Sequence, residues 1–286
     1  MTNERPASEP STARSWGDRA APWRTWRAQW DAQTAEATAL IVATAGIVPG
    51  RTVLDLACGP GQPALTIAAL VGIEGHVTAT DASAAMVGSA QDEAQARGLH
   101  NMTFGVAPAE HIPAFDDAFD AVTCRFGLAH FHDPAAALRE VRRVLRPGGI
   151  VAFVVWGPAA RNPFFTIVDD AFAHHVPASP PIERENGPCT FARPGALSEA
   201  LTRAGFVDVV EEARPITLSW PGSAEEAWAG RRAMSGSSAA RLDALSVAMR
   251  DAVTSEIVAA YRAHEDAGAI CLPAVVNVAS GRTPRP

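Results

Sequence analysis

Residues 53–61, VLDLACGPG, restrict this chain more than any other stretch. An apolar strand runs into a glycine-rich turn, and Pro63 then suits the first turn of a helix reaching about Val71. Glycines in such a turn let the backbone approach a ligand and adopt conformations closed to other residues. The helix N-terminus behind it offers unpaired N–H groups and positive potential. Asp81 ends the next predicted strand, 20 residues after Gly61. A carboxylate at that place can accept hydrogen bonds from both hydroxyls of a ribose.

The same alternation continues along the chain. Thr52–Ala57, His76–Thr80, Met102–Val106, Phe119–Cys124 and Ile150–Trp156 read as strands. Between them Ser83 caps a helix through Arg97, and Pro134 opens one ending at Arg146, stopped by Pro147-Gly148-Gly149. Repeated strand–helix units imply a parallel sheet covered on both faces, with right-handed crossovers. Residues 15–46 are predicted helical, with Trp23, Trp26 and Trp30 on one face. With Trp16 they either wall an aromatic pocket or simply dock a helix on the sheet. Residues 157–193 are Pro-rich, contain His174 and His175, and read as a lid with a short helix. Pro194–Ala204 reads as a helix, Phe206–Trp220 as a strand broken near Pro215, and 223–266 as two helices; Ile270–Gly281 is a last apolar strand. The expected organisation is a disordered tail (1–14), an N-terminal helical lid (15–46), and a core (47–157). The remainder of the sheet, with lid and helical substrate-binding insertions, occupies 158–286.

Composition narrows the partners. Acidic residues outnumber basic ones, 31 to 24, for a net charge of −7, which disfavours a nucleic-acid partner. Arg139, Arg142, Arg143 and Arg146 recur at helical spacing and read as a solvated face. Cys58, Cys124, Cys189 and Cys271 are too widely spaced for a zinc or redox motif, so no metal is expected and a reducing compartment is. The N-terminus lacks a signal-peptide pattern, and no run reaches the ~18 apolar residues of a membrane span. A cytoplasmic protein is the expectation.

The glycine loop alone leaves the ligand open, because Gly59-x-Gly61-x-x-Ala64 with a downstream acid also satisfies the dinucleotide fingerprint. Asp55, inside the strand, suits a cationic amino group and not a pyrophosphate. Three further segments, TATDASAAMV (78–87), FDAVTCRFGLAHFHDP (119–134) and ALREVRRVLRPGGIVAFVVW (137–156), follow VLDLACGPG in order. With these motifs residues 50–157 resemble the class I S-adenosylmethionine-dependent methyltransferases, in particular the type 11 group related to ubiquinone and menaquinone C-methyltransferases. The resemblance implies an α/β, Rossmann-like, seven-stranded, mostly parallel sheet with helices on both faces and helical lid insertions. Its last strand would be antiparallel, a place Ile270–Gly281 can fill.

By that resemblance Asp55, Ala57, Gly59 and Gly61 hold the methionine end of S-adenosylmethionine, and Asp81 holds the ribose. Ser83 and Met86 lie near ribose and adenine, Ala109 and Glu110 beside the adenine, and Cys124 and Arg125 near the sulfonium. Where the family often has Asp-Ala-Glu, this chain has Pro108-Ala109-Glu110, so either adenine recognition falls to backbone atoms or cofactor affinity is weaker than usual. The reaction implied is methyl transfer to a small-molecule acceptor through a C, O, N or S atom. His130 and His132 follow the fourth strand and either could be the general base, His130 being the leading candidate; otherwise His130 is a packed loop residue and His132 caps the Pro134 helix. His174 and His175 are substrate contacts or exposed. Cys58 and Cys124 read as small packed residues. The competing functions are a non-catalytic adenosylmethionine-binding module and an NAD-dependent oxidoreductase.

Overall fold

The computed structural model describes residues 16–176 and 187–286. The predicted tail, 1–14, and the middle of the predicted lid fall outside the described residues. Three short helices, α1 (Ala20–Thr25), α2 (Arg27–Gln33) and α3 (Ala35–Thr44), precede β1 (Thr52–Leu56). There follow α4 (Ala64–Val71), β2 (His76–Asp81), α5 (Ala84–Ala96), β3 (Met102–Val106) and β4 (Phe119–Arg125). A 3-10 turn (Leu128–His130) leads to α6 (Pro134–Val144), β5 (Leu145–Trp156) and α7 (Pro163–His175). The second half holds α8 (Ala196–Arg203), β6 (Val207–Pro221), α9 (Ala224–Met234), α10 (Gly236–Asp243) and α11 (Val247–Arg262). A two-residue β7 (Glu265–Asp266) and β8 (Ala269–Arg282) complete it.

The sheet runs β3-β2-β1-β4-β5-β8-β6, with β7 paired on β8. β1 to β5 are parallel. β8 lies antiparallel between β5 and β6. Successive strands move outward from β1 to β3, then the chain returns to place β4 on the other flank of β1. Strand order therefore reverses between β1 and β4, the place where open α/β sheets bind ligands beyond their carboxyl ends.

Side chains explain the layers. Val53, Leu54, Asp55 and Leu56 of β1 are all buried, as expected for a strand covered on both faces. In α6 the Asp133 carboxylate accepts the Ala136 N–H at 2.9 Å, and Pro134 occupies the first turn. Ala137, Leu138, Val141 and Val144 form its buried stripe; burial of Leu138, Val141 and Val144 contributes roughly 1.5–3 kcal/mol each. α6 and α8 close a core over β1, β4 and β5. A larger core joins β5, β6 and β8 to side chains of α2, α3, α7, α9 and α11. No helix among the described residues is long and apolar enough to cross a membrane.

Several boundaries differ from the sequence reading. α6 ends at Val144, and β5 starts at Leu145 and passes through Pro147-Gly148-Gly149. Leu145 pairs with Phe119, and Thr283 exchanges backbone bonds with Gly148 and Gly149, so pairing captures the expected stop signal. β6 is continuous through Pro215, which an edge strand tolerates because only one flank needs its N–H groups. Residues 223–266 form three helices, since Ser235 and Ser246 each cap a new one by accepting from Ser238 N and Met249 N. α7 has 13 residues, longer than the short helix expected. The N-terminal helical stretch is broken at Trp26 and Thr34. Trp23 consequently meets Trp16 and Trp30, at 6.1 and 5.0 Å, whereas Trp26 packs on Trp220 at 5.6 Å. The three tryptophans do not share one face.

Candidate functional site

β1 delivers Asp55 to the reversal point with no exposed surface. Its Oδ1 accepts the Thr123 hydroxyl from neighbouring β4 at 2.6 Å. Its Oδ2 is buried with no hydrogen-bond partner. Burial pushes this carboxyl up to about 7, against the opposing pull of Thr123, the Arg125 charge and the Ala64 amide. A buried carboxylate oxygen without a donor costs on the order of 1–3 kcal/mol unless something charged or polar meets it.

The loop beyond β1 has an unusual backbone. Ala57 and Gly59 both sit at positive φ, 52° and 51°. A Cβ on Gly59 would meet nothing within 4 Å, so this glycine faces open space. Gly61, at φ 125°, faces the other way: a Cβ there would lie 2.5 Å from Leu65 Cδ1. Gly59 therefore borders open space beyond β1, and Gly61 lets helix α4 pack tightly.

Asp81 holds that loop in place. Its Oδ2 accepts the Gly59 N–H at 3.0 Å and its Oδ1 the Ser83 N–H at 2.9 Å. Burial raises its pKa, opposed by these amides and that of Ala82. Ser83 is the N-cap of α5, its hydroxyl accepting Met86 N–H at 3.4 Å. Met86 is buried in the body of the protein.

Arg125, at the end of β4, is buried. It donates to the Thr34 and Thr38 hydroxyls, both at 2.7 Å, and to the Gln62 carbonyl at 3.3 Å. It thereby ties α3 to the loop after Gly61. Its Nε is buried with no hydrogen-bond partner. Burial lowers its pKa, while Asp31 and Asp55 favour its charge.

The remaining candidates lie at the rim or in the packing. Cys124 and Ala109 belong to the core under α6. Burial raises the thiols of Cys58 and Cys124, so neither is poised as a nucleophile. Glu110 accepts the Asp133 N–H at 3.0 Å and so links the loop after β3 to the start of α6. His130 stacks edge-on against Trp16 at 5.2 Å. Burial and the nearby Arg19 charge lower its pKa, leaving it neutral at physiological pH. His132 is exposed, and Asp133 takes the capping role.

Sequence reasoning did not single out Thr34, Thr38, Gln62 or Thr123. Their signals were available: Thr34 and Thr38 stand four apart on one helix face, and Thr123 and Arg125 share a face of β4. Beyond the strand ends, Phe126 (φ 62°) stacks on Trp156 at 4.4 Å and 13°. Trp156 in turn stacks on Phe164 at 5.3 Å and 7°. The three rings thus stack nearly parallel at the ends of β4 and β5, with Trp156 buried and the Arg231 guanidinium over Phe164 at 3.9 Å.

Residues 53–149 match the family described as "Methyltransferase domain". Over 109 residues, the chain is 38% identical to the ubiquinone/menaquinone biosynthesis C-methyltransferase UbiE of Cellvibrio japonicus, covering 38% of this chain and 44% of that protein. Over 105 residues it is 38% identical to the demethylmenaquinone methyltransferase of Listeria welshimeri, covering 37% and 44%. The chain spans about half the length of the curated relatives it matches. Among solved structures it is similar to the YcgJ protein of Bacillus subtilis. That similarity has TM-score 0.57 and 21% identity, over 88% of this chain and 100% of that one, and shows a shared fold.

Proposed function

We propose that this chain, whose residues 53–149 are a class I methyltransferase domain related to the quinone C-methyltransferases, binds S-adenosylmethionine at the carboxyl ends of β1, β2 and β4. There it transfers a methyl group to a small-molecule acceptor. The observation that carries this reading is a complementary pair of orphaned atoms: Asp55 Oδ2, an acceptor, and Arg125 Nε, a donor, both buried. The two belong to paired strands. An α-amino acid carries one ammonium and one carboxylate, and the methionine end of the cofactor supplies both. Open space at the Cβ position of Gly59 leaves room for the adjoining chain. Asp81 spends one lone pair of each oxygen on a backbone amide and keeps others for ribose hydroxyls. Pro108 offers no side-chain group to the adenine, which leaves backbone atoms and Ala109 for that end. A pyrophosphate would bring negative charge onto Asp55, which disfavours NAD.

When bound, the cofactor supplies a methyl carbon activated by a sulfonium. The chain's own residues position the partners, a contribution of up to about 7–11 kcal/mol in well-aligned systems. His130, neutral at physiological pH, is the group we assign to take a proton from an acceptor that retains one. The half-buried Phe126 ring, at the end of β4 next to Arg125, favours an acceptor with a planar apolar ring. The related proteins named for quinone C-methylation point the same way.

Calorimetry with adenosylhomocysteine, NAD as the control, tests the cofactor. Incubation with labelled adenosylmethionine and a quinol or phenol panel, read by mass, tests the acceptor. We expect adenosylhomocysteine to bind, NAD not to bind, and one ring acceptor to gain a methyl group in place of a hydrogen. Failure of adenosylhomocysteine to bind the folded protein overturns the reading.

A further inference from the structure

Away from that site, the C-terminal turn of α7 meets the middle of α11. His174 Nδ1 lies 2.9 Å, and His175 Nε2 2.7 Å, from the same Glu256 oxygen. The two imidazoles stack at 4.8 Å and 29°. We propose that His174, His175 and Glu256 form a binding site for a late first-row divalent cation, with Zn2+ as its probe, pinning α7 to α11.

The donor set is the first support. Two imidazole nitrogens and one carboxylate oxygen are a set that Zn2+ accepts, with water completing four-coordination. All three ligand atoms lie within 4.8 Å of one another. Tetrahedral bonds of about 2.0–2.2 Å place ligand atoms roughly 3.4 Å apart. The two N···O separations must open by about half an ångström, and the wider N···N separation must close toward the same value. Side-chain exposures of 72% for His174, 37% for Glu256 and 26% for His175 give them room to do so. Without metal, each ring donates its hydrogen to the carboxylate. A metal needs a lone pair at the same nitrogen, so each ring would carry its hydrogen on the other one.

Backbone placement is the second support. α7 contributes Phe165, Val168, Ala171 and Phe172, and α11 contributes Val253, Ile257, Val258 and Tyr261, to one core. The two helices are therefore fixed against each other before any ion arrives, and only side-chain rotation is needed. Sequence spacing could not show this, because Glu256 comes 81 residues after His175. The role we assign is a brace. Phe164 lies 11 residues before His175 on the same helix, about 16 Å away. An ion here stiffens the helix that carries Phe164 and stays clear of the strand ends.

The experiment is a Zn2+ titration of the chelator-treated full chain at neutral pH, followed by calorimetry and by melting temperature, so no enzymatic activity enters the readout. We expect one equivalent to bind and the melting temperature to rise. His175→Ala and Glu256→Gln should each weaken binding at least about tenfold, roughly 1.4 kcal/mol. His100→Ala, at an exposed position elsewhere, should leave binding unchanged. Circular dichroism establishes that each variant is folded. Zn2+ binding undiminished in the folded His175→Ala/Glu256→Gln double variant overturns the proposal, as does a melting temperature that Zn2+ leaves unchanged or lowers.

Discussion

Asp81 and Glu211 make nearly the same bonds in two distant parts of the sheet. Asp81 receives Gly59 N–H and Ser83 N–H at 3.0 and 2.9 Å. Glu211, on β6, receives Gly195 N–H and Ser198 N–H at 3.0 and 2.8 Å, and so holds the start of α8. Each is a carboxylate bracing a loop at a helix N-terminus, where such charge is favoured. Their surroundings differ. Asp81 stands beside the reversal of strand order, next to a glycine facing open space and near Asp55 with its orphaned oxygen. Glu211 stands on the edge strand and joins two elements that already pack together. The ligand-binding role proposed for Asp81 rests on what else converges on it, and its own hydrogen bonds do not reveal that role.

The largest effect should come from the loop Asp81 braces. Gly61→Val drives a side chain into Leu65 at a backbone angle hostile to β-branched residues. Strain and overpacking together cost about 2–6 kcal/mol, comparable to the stability of a whole domain. Chemical denaturation should show a chain that is largely unfolded or close to it. Gly59→Ala should instead cost about 1–2 kcal/mol, keep the fold, and weaken adenosylhomocysteine binding at least about tenfold. Normal affinity in folded Gly59→Ala would move the ligand away from this loop.

Next in size is the direct contrast. Asp81→Ala should lower both stability and cofactor affinity. Loss of even one charge-assisted bond, about 1.5–3 kcal/mol, means a roughly 10- to 150-fold weaker Kd. Glu211→Ala should destabilise by about 1 kcal/mol and leave Kd unchanged. Equal effects on affinity in the two variants would erase the distinction drawn between these regions.

The smallest effect is a pH dependence. Asp55, lifted by burial to about 7, is largely neutral below that pH and ionised above it. An ammonium ligand pairs with the ionised form, so affinity should be greatest above about pH 7. It should fall on acidification by up to about tenfold per pH unit. For the free protein the sign is opposite: ionising a buried group that is raised in the fold costs stability, which declines as pH rises from about 4 to about 7. Asp55→Asn should flatten both profiles. Calorimetry and melting curves across that range read them, and an unchanged affinity profile in Asp55→Asn would remove Asp55 from the ammonium site.

The half around these residues was largely legible in the sequence because its signals are local. The strand, glycine turn, helix and acid of 52–81 follow one another within 30 residues, and Ser83 and Pro134 mark helix starts through their own chemistry. Misreadings arose where a distant segment decided the outcome. Pro147-Gly148-Gly149 looks like a stop until Thr283 pairs with it from the other end of the chain. Pro215 looks like a break until β6 proves to be an edge. Arg125 could be placed at the end of β4 from the sequence, but its partners Thr34 and Thr38 come about 90 residues earlier. The carboxylate beside His174 and His175 comes from α11.

The antiparallel position of β8 bears on how the chain is assembled as it is synthesised. β5 and β6 are complete long before the strand that separates them exists. Until β8 emerges, the parallel half ends in an open edge at β5, and β6 has no partner in the sheet. Both are sticky surfaces in a nascent chain. Closure requires residues 150–156 to meet 276–282 across more than a hundred intervening positions, a non-local step that slows folding. Helices α7, α9, α10 and α11, strung between β5 and β8, pack on those strands in one core, so their final docking also waits for β8.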